Sequence, residues 1–305
     1  MGIGGGIMDL VKGVYELAEE FLNQHEEGKS PLRQNVEVQN IAIQQLANQM
    51  LEEGKVNFYD KEPQEASNKD EFKIILRELV ASSINYCYWY GSSTIRPMDS
   101  SSGSMYELVD AAIYNHPENL NFESSIKYLI ELLSLYRYPL LEERKRHLLE
   151  LVEDEKALTF ARYVQVKYGR SGSKIFEELV KNFQGFASDI FLKRASLFMI
   201  QLYRQLGWFE EFMKELFVPA DYQVPKMLNH FKAILYSNSI GYKIQEGKLI
   251  EKGSLMECQL RAATIVACKR LCNLTGWNVA DVDTWLWTKR KLPQGKFHLT
   301  ITTDY

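Results

Sequence analysis

The chain has 305 residues, 46% of them hydrophobic, with 36 Lys and Arg against 40 Asp and Glu. A net charge of -4 and a pI near 5.9 argue against a general nucleic-acid binder, which carries a basic face. No stretch reaches the roughly 18 consecutive apolar residues of a membrane span, while the length is enough for one large core or two modest ones.

The start, Met1-Gly2-Ile3-Gly4-Gly5-Gly6, places Gly6 where a myristoylation signal needs Ser or Thr, and it lacks the basic region of a signal peptide. It reads as a flexible leader over residues 1–7. Apolar residues then recur at helical spacing from Met8 to Gln24, through Leu10, Val11, Val14, Tyr15, Leu17, Ala18 and Phe21. Gly28 and Pro31 break the pattern, residues 36–53 resume it, and Gly54 is placed to stop that helix. Residues 59–70 are polar and contain Pro63, which predicts a loop.

The pattern over 71–90 is helical and runs into Asn85-Tyr86-Cys87-Tyr88-Trp89-Tyr90 before Gly91. Such dense aromatics suit either core packing or a stacking wall for a flat ligand, and the amide of Asn85 adds a donor and an acceptor for a base edge. The Ser-rich stretch 92–104 is a loop, either a lid or plain surface. Helices are predicted over 105–115, 121–136, 140–153, 155–168, 173–184, 187–206 and 208–216. The run Glu142-Glu143-Arg144-Lys145-Arg146 reads as a solvated charged face. Lys193 and Arg194 interrupt an apolar run, so Lys193 either snorkels to the surface or faces an anion.

Val218-Pro219-Ala220-Asp221-Tyr222-Gln223-Val224-Pro225 is a connector with one carboxylate. Pro225 suits the first turn of a helix over 225–236, and Val224 before it is pushed out of helical geometry. Asp221 therefore stands just outside a helix start, where the partial positive charge favours an anion. It is either a cap or a catalytic carboxylate. Gly241 to Gly253 is turn-rich and reads as a short hairpin. A strong helix is predicted over 255–273 with Arg261 on its polar side, then a short one over 278–287 carrying Asp283 and Trp287. The tail 296–303 alternates and reads as extended.

Helical patterns dominate, so the expected fold class is all-α with a few short strands, as a single domain over 8–305. The phosphate-binding Gly loop, HExxH and GxSxG are all missing, which disfavours a nucleotide-driven motor and a serine hydrolase. Four cysteines form no CxxC pair. Cys268 and Cys272 share a helix face, but two thiols and five histidines in the chain do not suggest a metal site. They read as buried, reduced thiols of a cytoplasmic protein, and neither metal nor cofactor is expected.

Several stretches, taken in order, resemble the queuosine salvage family. These are Asn85-Tyr86-Cys87-Tyr88-Trp89, Pro139-Leu140-Leu141-Glu142-Glu143-Arg144, Lys193-Arg194-Ala195, Ala220-Asp221-Tyr222 with Pro225 and His230, Gln259-Leu260-Arg261-Ala262, Asp283 with Leu286-Trp287, and Phe297-His298. The resemblance implies a mostly helical fold similar to helix-hairpin-helix DNA glycosylases, and hydrolysis of queuosine 5'-phosphate to release the base queuine. It implies that Asp221 is the active-site carboxylate, stabilising or attacking the ribose as the glycosidic bond breaks. A 7-deazaguanine has no N7 to protonate, so the leaving base needs hydrogen bonds at another edge. Asp283 and Asn85 are the expected partners there, with Tyr88, Trp89 and Trp287 stacking on the ring or walling it off, and Tyr222 a substrate-binding residue beside Asp221. Lys193 is the expected phosphate donor, with Arg261 and His298 behind it. The expected partner is a small-molecule nucleotide, with no stable nucleic-acid or membrane partner. The alternatives are a nucleic-acid base glycosylase, a non-catalytic deazaguanine-binding protein and a purely structural helical interaction protein.

Overall fold

The structure is a computed structural model that describes residues 8–24, 35–57, 68–89, 101–114, 121–292 and 295–305. The leader 1–7 and most of the 59–70 and 92–104 loops lie outside these residues. In chain order the helices and strands are α1 (Met8–Asn23), β1 (Val36–Val38), α2 (Asn40–Glu53), α3 (Asn68–Ser83), α4 (Ser102–Ile113), α5 (Phe122–Leu135), α6 (Leu141–Val152), α7 (Lys156–Val166), α8 (Gly172–Asn182), α9 (Gln184–Ala187) and α10 (Lys193–Leu206). They continue with α11 (Glu210–Glu215), α12 (Gln223–His230), β2 (Ile234–Tyr236), α13 (Asn238–Glu246), α14 (Leu255–Thr275) and α15 (Val279–Thr288). The all-α expectation holds. Strand among the described residues is confined to the antiparallel pair β1–β2, with Val36 opposite Tyr236, and one isolated bridge between Leu249 and Leu299.

The chain divides into two compact units. The first joins residues 1–62 to 210–301, and the second joins 63–209 to 302–305. In the first unit, α14 is the central element: α1, α2, α12, α15 and both strands pack on it. Its residues are buried around nearly the whole circumference from Glu257 to Cys268, as expected for a helix surrounded by partners rather than lying on a surface. Arg261 was expected on a polar face, but it is 1% exposed. Ser254 caps this helix by accepting the N–H of Glu257, and Gly276 closes it at φ 70°.

Gln259 ties α1 to this core. Its amide donates to the carbonyls of Phe21 and Gln24, both at 2.9 Å, and its oxygen accepts from Asn35 at 3.0 Å. These bonds fasten the C-terminal end of α1, where backbone carbonyls run out of donors from the next helical turn.

In the second unit, α3 packs on α4, α6, α7 and α10. The helix predicted over 71–90 ends at Ser83, and residues 85–89 run irregularly, with Cys87 at φ 40°. The aromatic side chains of Tyr86, Tyr88 and Trp89 made this segment look like a continuation of the helix. Two buried arginines hold it in a different path, as described below. Residues 187–192 are likewise not part of α10. That helix starts at Lys193 because Asp189 turns the chain, accepting the N–H groups of Phe191 and Lys193 at 3.1 and 2.8 Å.

Three further expectations are corrected in the first unit. The helix around Pro225 begins two residues earlier, at Gln223, and includes Val224. It ends at His230, after which β2 pairs with β1. The segment after Gly241 is not a hairpin, since α13 covers Asn238–Glu246 and is capped by Ser237. The tail is extended as expected, with Leu299 bridged to Leu249.

Candidate active site

Asp221 sits two residues before the start of α12. Its Oδ1 accepts the backbone N–H groups of Gln223 at 2.7 Å and Val224 at 3.0 Å. The side chain thus does the work of an N-cap from one residue further out, and it satisfies two donors that have no partner within the helix. This pair of bonds also explains why Val224 is helical despite preceding a proline: the cap outweighs a modest steric bias. The carboxylate is partly exposed, whereas Ala220 and Tyr222 on either side are buried.

The backbone under Asp221 is held from α14. Arg261 Nε donates to the Ala220 carbonyl at 3.2 Å. The same guanidinium lies 3.7 Å from Glu257, one turn earlier on the helix, with both side chains almost fully buried. Glu257 in turn accepts the N–H of Gly253 at 3.1 Å. A buried arginine paired this way is a rigid strut, because removing either charge leaves the other unpaired.

Tyr222 packs its ring on Phe297, with centroids 4.5 Å apart and planes 31° apart. Next to Phe297, His298 is 1% exposed, and burial together with the nearby Arg261 charge pushes its pKa down to about 3. A neutral imidazole is a weaker phosphate partner than the cation a surface histidine would offer. On α15, Asp283 is 5% exposed. Trp287 is partly exposed, with the Arg290 guanidinium 3.3 Å from its ring centroid. The first unit therefore carries Asp221, Tyr222, Arg261, Asp283, Trp287 and His298.

The second unit carries Asn85, Tyr88, Trp89 and Lys193, all buried. Lys193 neither snorkels outward nor stands alone. Its Nζ donates to the Asn85 carbonyl at 2.8 Å and to Asn85 Oδ1 at 3.3 Å. Tyr88 meets Tyr138 edge-on at 6.4 Å.

Sequence reasoning missed what shapes this aromatic segment. Arg144, expected on a solvated face, is fully buried. Its guanidinium donates to the carbonyls of Pro139, Ile84, Tyr86 and Cys87, and lies 4.5 Å from the Tyr86 ring centroid. Arg194 approaches Tyr86 from another helix, at 5.2 Å, and donates to the carbonyls of Ser83 and Gly185. Between them His147 is held neutral, its pKa pushed to about 3 by burial and by Arg194. Arg194 can only donate, so the His147 Nδ1 it meets at 3.2 Å is the acceptor and the ring proton sits on Nε2. The signal for Arg144 lay in the Pro139–Arg144 motif, but the neighbouring charges disguised it.

A family model described as "Queuosine salvage protein" matches residues 64–302. The chain belongs to the queuosine salvage family. A Dictyostelium discoideum protein named queuosine 5'-phosphate N-glycosylase/hydrolase is 25% identical over 256 residues, covering 74% of this chain and 77% of that protein. A protein of the same name from Sphaerobacter thermophilus is 26% identical over 263 residues, covering 74% and 80%. One from Mus musculus is 29% identical over 143 residues, 42% of each chain. The queuosine salvage match takes in Asp221 and every other predicted site residue, whereas α1 and α2 precede it. Among the described residues no group of His, Cys, Asp or Glu could hold a metal ion, and no helix is long and apolar enough to cross a membrane.

Proposed function

We propose that this chain hydrolyses the N-glycosidic bond of queuosine 5'-phosphate and releases queuine, with Asp221 as the carboxylate that meets the positive charge developing on the ribose. The observation that carries the reading is the double hold on Asp221 Oδ1 by Gln223 and Val224 at the start of α12. A carboxylate fixed by backbone donors loses little freedom when a substrate binds, so it can oppose a developing oxocarbenium charge without reorganising. The names of the relatives supply the substrate and the reaction class.

Cleavage moves the bonding electrons from the ribose carbon onto the base, and a water oxygen replaces the base at that carbon. Asp221 either stabilises the cation and accepts the water's proton, or forms a short-lived ester that water then opens. Asp283 is the residue proposed to accept N–H bonds from the base, since a carboxylate pairs well with two adjacent donors. Trp287, four residues on along α15, is proposed to cover the ring.

The test is incubation with queuosine 5'-phosphate, queuosine and guanosine 5'-monophosphate, with free base detected by mass spectrometry. Queuine release from the first substrate is expected, and no base from any of the three defeats the reading.

A further inference from the structure

The first unit contains a cavity of about 790 Å³ on the C-terminal half of α12, lined from that helix by Lys226, Asn229 and His230. Its other walls come from Tyr236 on β2, from Gly241, Ile244 and Gln245 on α13, and from Leu292, Gly295 and Lys296. Asp221 is not among its lining residues, and no carboxylate is found among the described residues that line it. In a chain with more acids than bases, a hollow that gathers two lysines and a histidine, with no acid among its described lining residues, is a departure from the average surface.

Lys226 is the decisive group. It is partly buried, and among the described residues it has no hydrogen-bond or ion-pair partner. Burial lowers the pKa of its amine. Removing an ammonium from water without a partner is unfavourable, and an incoming anion would relieve it. Lys296 is already oriented, since its Nζ donates to the Gln245 carbonyl at 2.9 Å and keeps further protons to give. Tyr236, Ile244 and Leu292 supply apolar wall beside these cations.

We infer that this cavity binds an organic phosphate monoester of about nucleotide size, at a site separate from the Asp221 carboxylate. Two ammonium groups and the Asn229 amide suit the several oxygens and double charge of a phosphate better than a single carboxylate. The volume falls within the roughly 300–1,000 Å³ of small-molecule sites and far exceeds what inorganic phosphate fills. The apolar walls then receive the organic body.

The inference is tested by calorimetric titration of the full chain with adenosine 5'-monophosphate, adenosine and inorganic phosphate. Adenosine 5'-monophosphate is expected to bind at least tenfold more tightly than either fragment. Lys226→Gln and Lys296→Gln are each expected to weaken it tenfold or more, with Lys226→Arg close to wild type. Gly241 has open space where a Cβ would stand, so Gly241→Leu is expected to block binding by bulk with every charge kept. Binding that is unaffected by all of these changes places the nucleotide elsewhere and overturns the proposal, as does absence of binding. Equal affinity for inorganic phosphate overturns the organic-ester assignment. None of these readings depends on base release, so the inference and the proposed activity can fail separately.

Discussion

Arg261 and Ala220 are joined by a hydrogen bond of 3.2 Å that crosses from α14 to the residue preceding Asp221. The resemblance offered Arg261 as a phosphate contact behind Lys193; in the structure its guanidinium is almost wholly enclosed and donates to the backbone beneath Asp221. Arg261→Met is therefore expected to reduce kcat for base release by ten- to a hundredfold with a smaller change in KM. A group that bound phosphate would instead shift KM for the nucleotide and leave the nucleoside alone. Steady-state kinetics on queuosine 5'-phosphate and queuosine separate the two outcomes.

The cap that Asp221 provides and the catalytic role proposed for it are separable. An asparagine at this position keeps the oxygen that accepts from Gln223 and Val224. Asp221→Asn is thus expected to unfold within about 1 kcal/mol of wild type while base release falls by a thousandfold or more. Asp221→Ala loses both functions and should cost about 1 kcal/mol or somewhat more in stability. Thermal unfolding and single-turnover base release provide the comparison. Cleavage retained by the asparagine variant removes Asp221 from the chemistry.

The aromatic segment after α3 depends on Arg144. Its guanidinium is the shared donor for three carbonyls between Ile84 and Cys87. Arg144→Met leaves those acceptors buried and unsatisfied, so a loss on the order of 3 kcal/mol or more is expected in urea unfolding. Hydrogen exchange should show the loosening first in residues 84–89. A variant as stable as wild type contradicts the assigned role.

Two buried histidines give the protein a weakness to mild acid. His147 and His298 both have pKa values pushed from 6.5 to about 3 in the folded chain. Between those limits the unfolded state binds more protons, so stability rises with pH across that window and is fully present above about 6.5. Falling pH should therefore destabilise the chain before most carboxylates titrate. Urea midpoints measured from pH 7 to pH 4 check this, and His298→Gln is expected to flatten the slope. A midpoint that stays constant down to pH 5 would refute it.

How much of this was legible in the sequence depends on what each residue's signal consists of. Helix periods are local, and α5, α6, α14 and α15 fall close to their predicted spans. Asp221 could be singled out because its setting, a carboxylate before a proline-bearing helix start, lies within five residues of chain. Asn85 and Lys193 could be named separately, but their hydrogen bond spans 108 positions, and nothing in either neighbourhood encodes it. Arg144 and Arg261 were misjudged for a shared reason. A buried arginine is uncommon, so hydropathy places it outside; what allows burial is a set of backbone carbonyls or a paired acid, and these are fixed only by the fold. The end of α3 was missed because aromatic residues satisfy helical and extended patterns equally well.

The hold of Gln259 on the end of α1 has a consequence for biosynthesis. Helix α1 packs on α14, yet α14 starts only at Leu255. With translation at roughly 5–20 residues per second, the apolar face of α1 waits roughly ten to fifty seconds for its partner to emerge. Over the same interval the residues from 63 to 209 are made in one continuous run. The unit bearing Asp221 is thus made in two parts, and its first part waits through the whole 63–209 run for the second. Its first helices, α1 and α2, are therefore expected to need shielding from aggregation until α14 emerges.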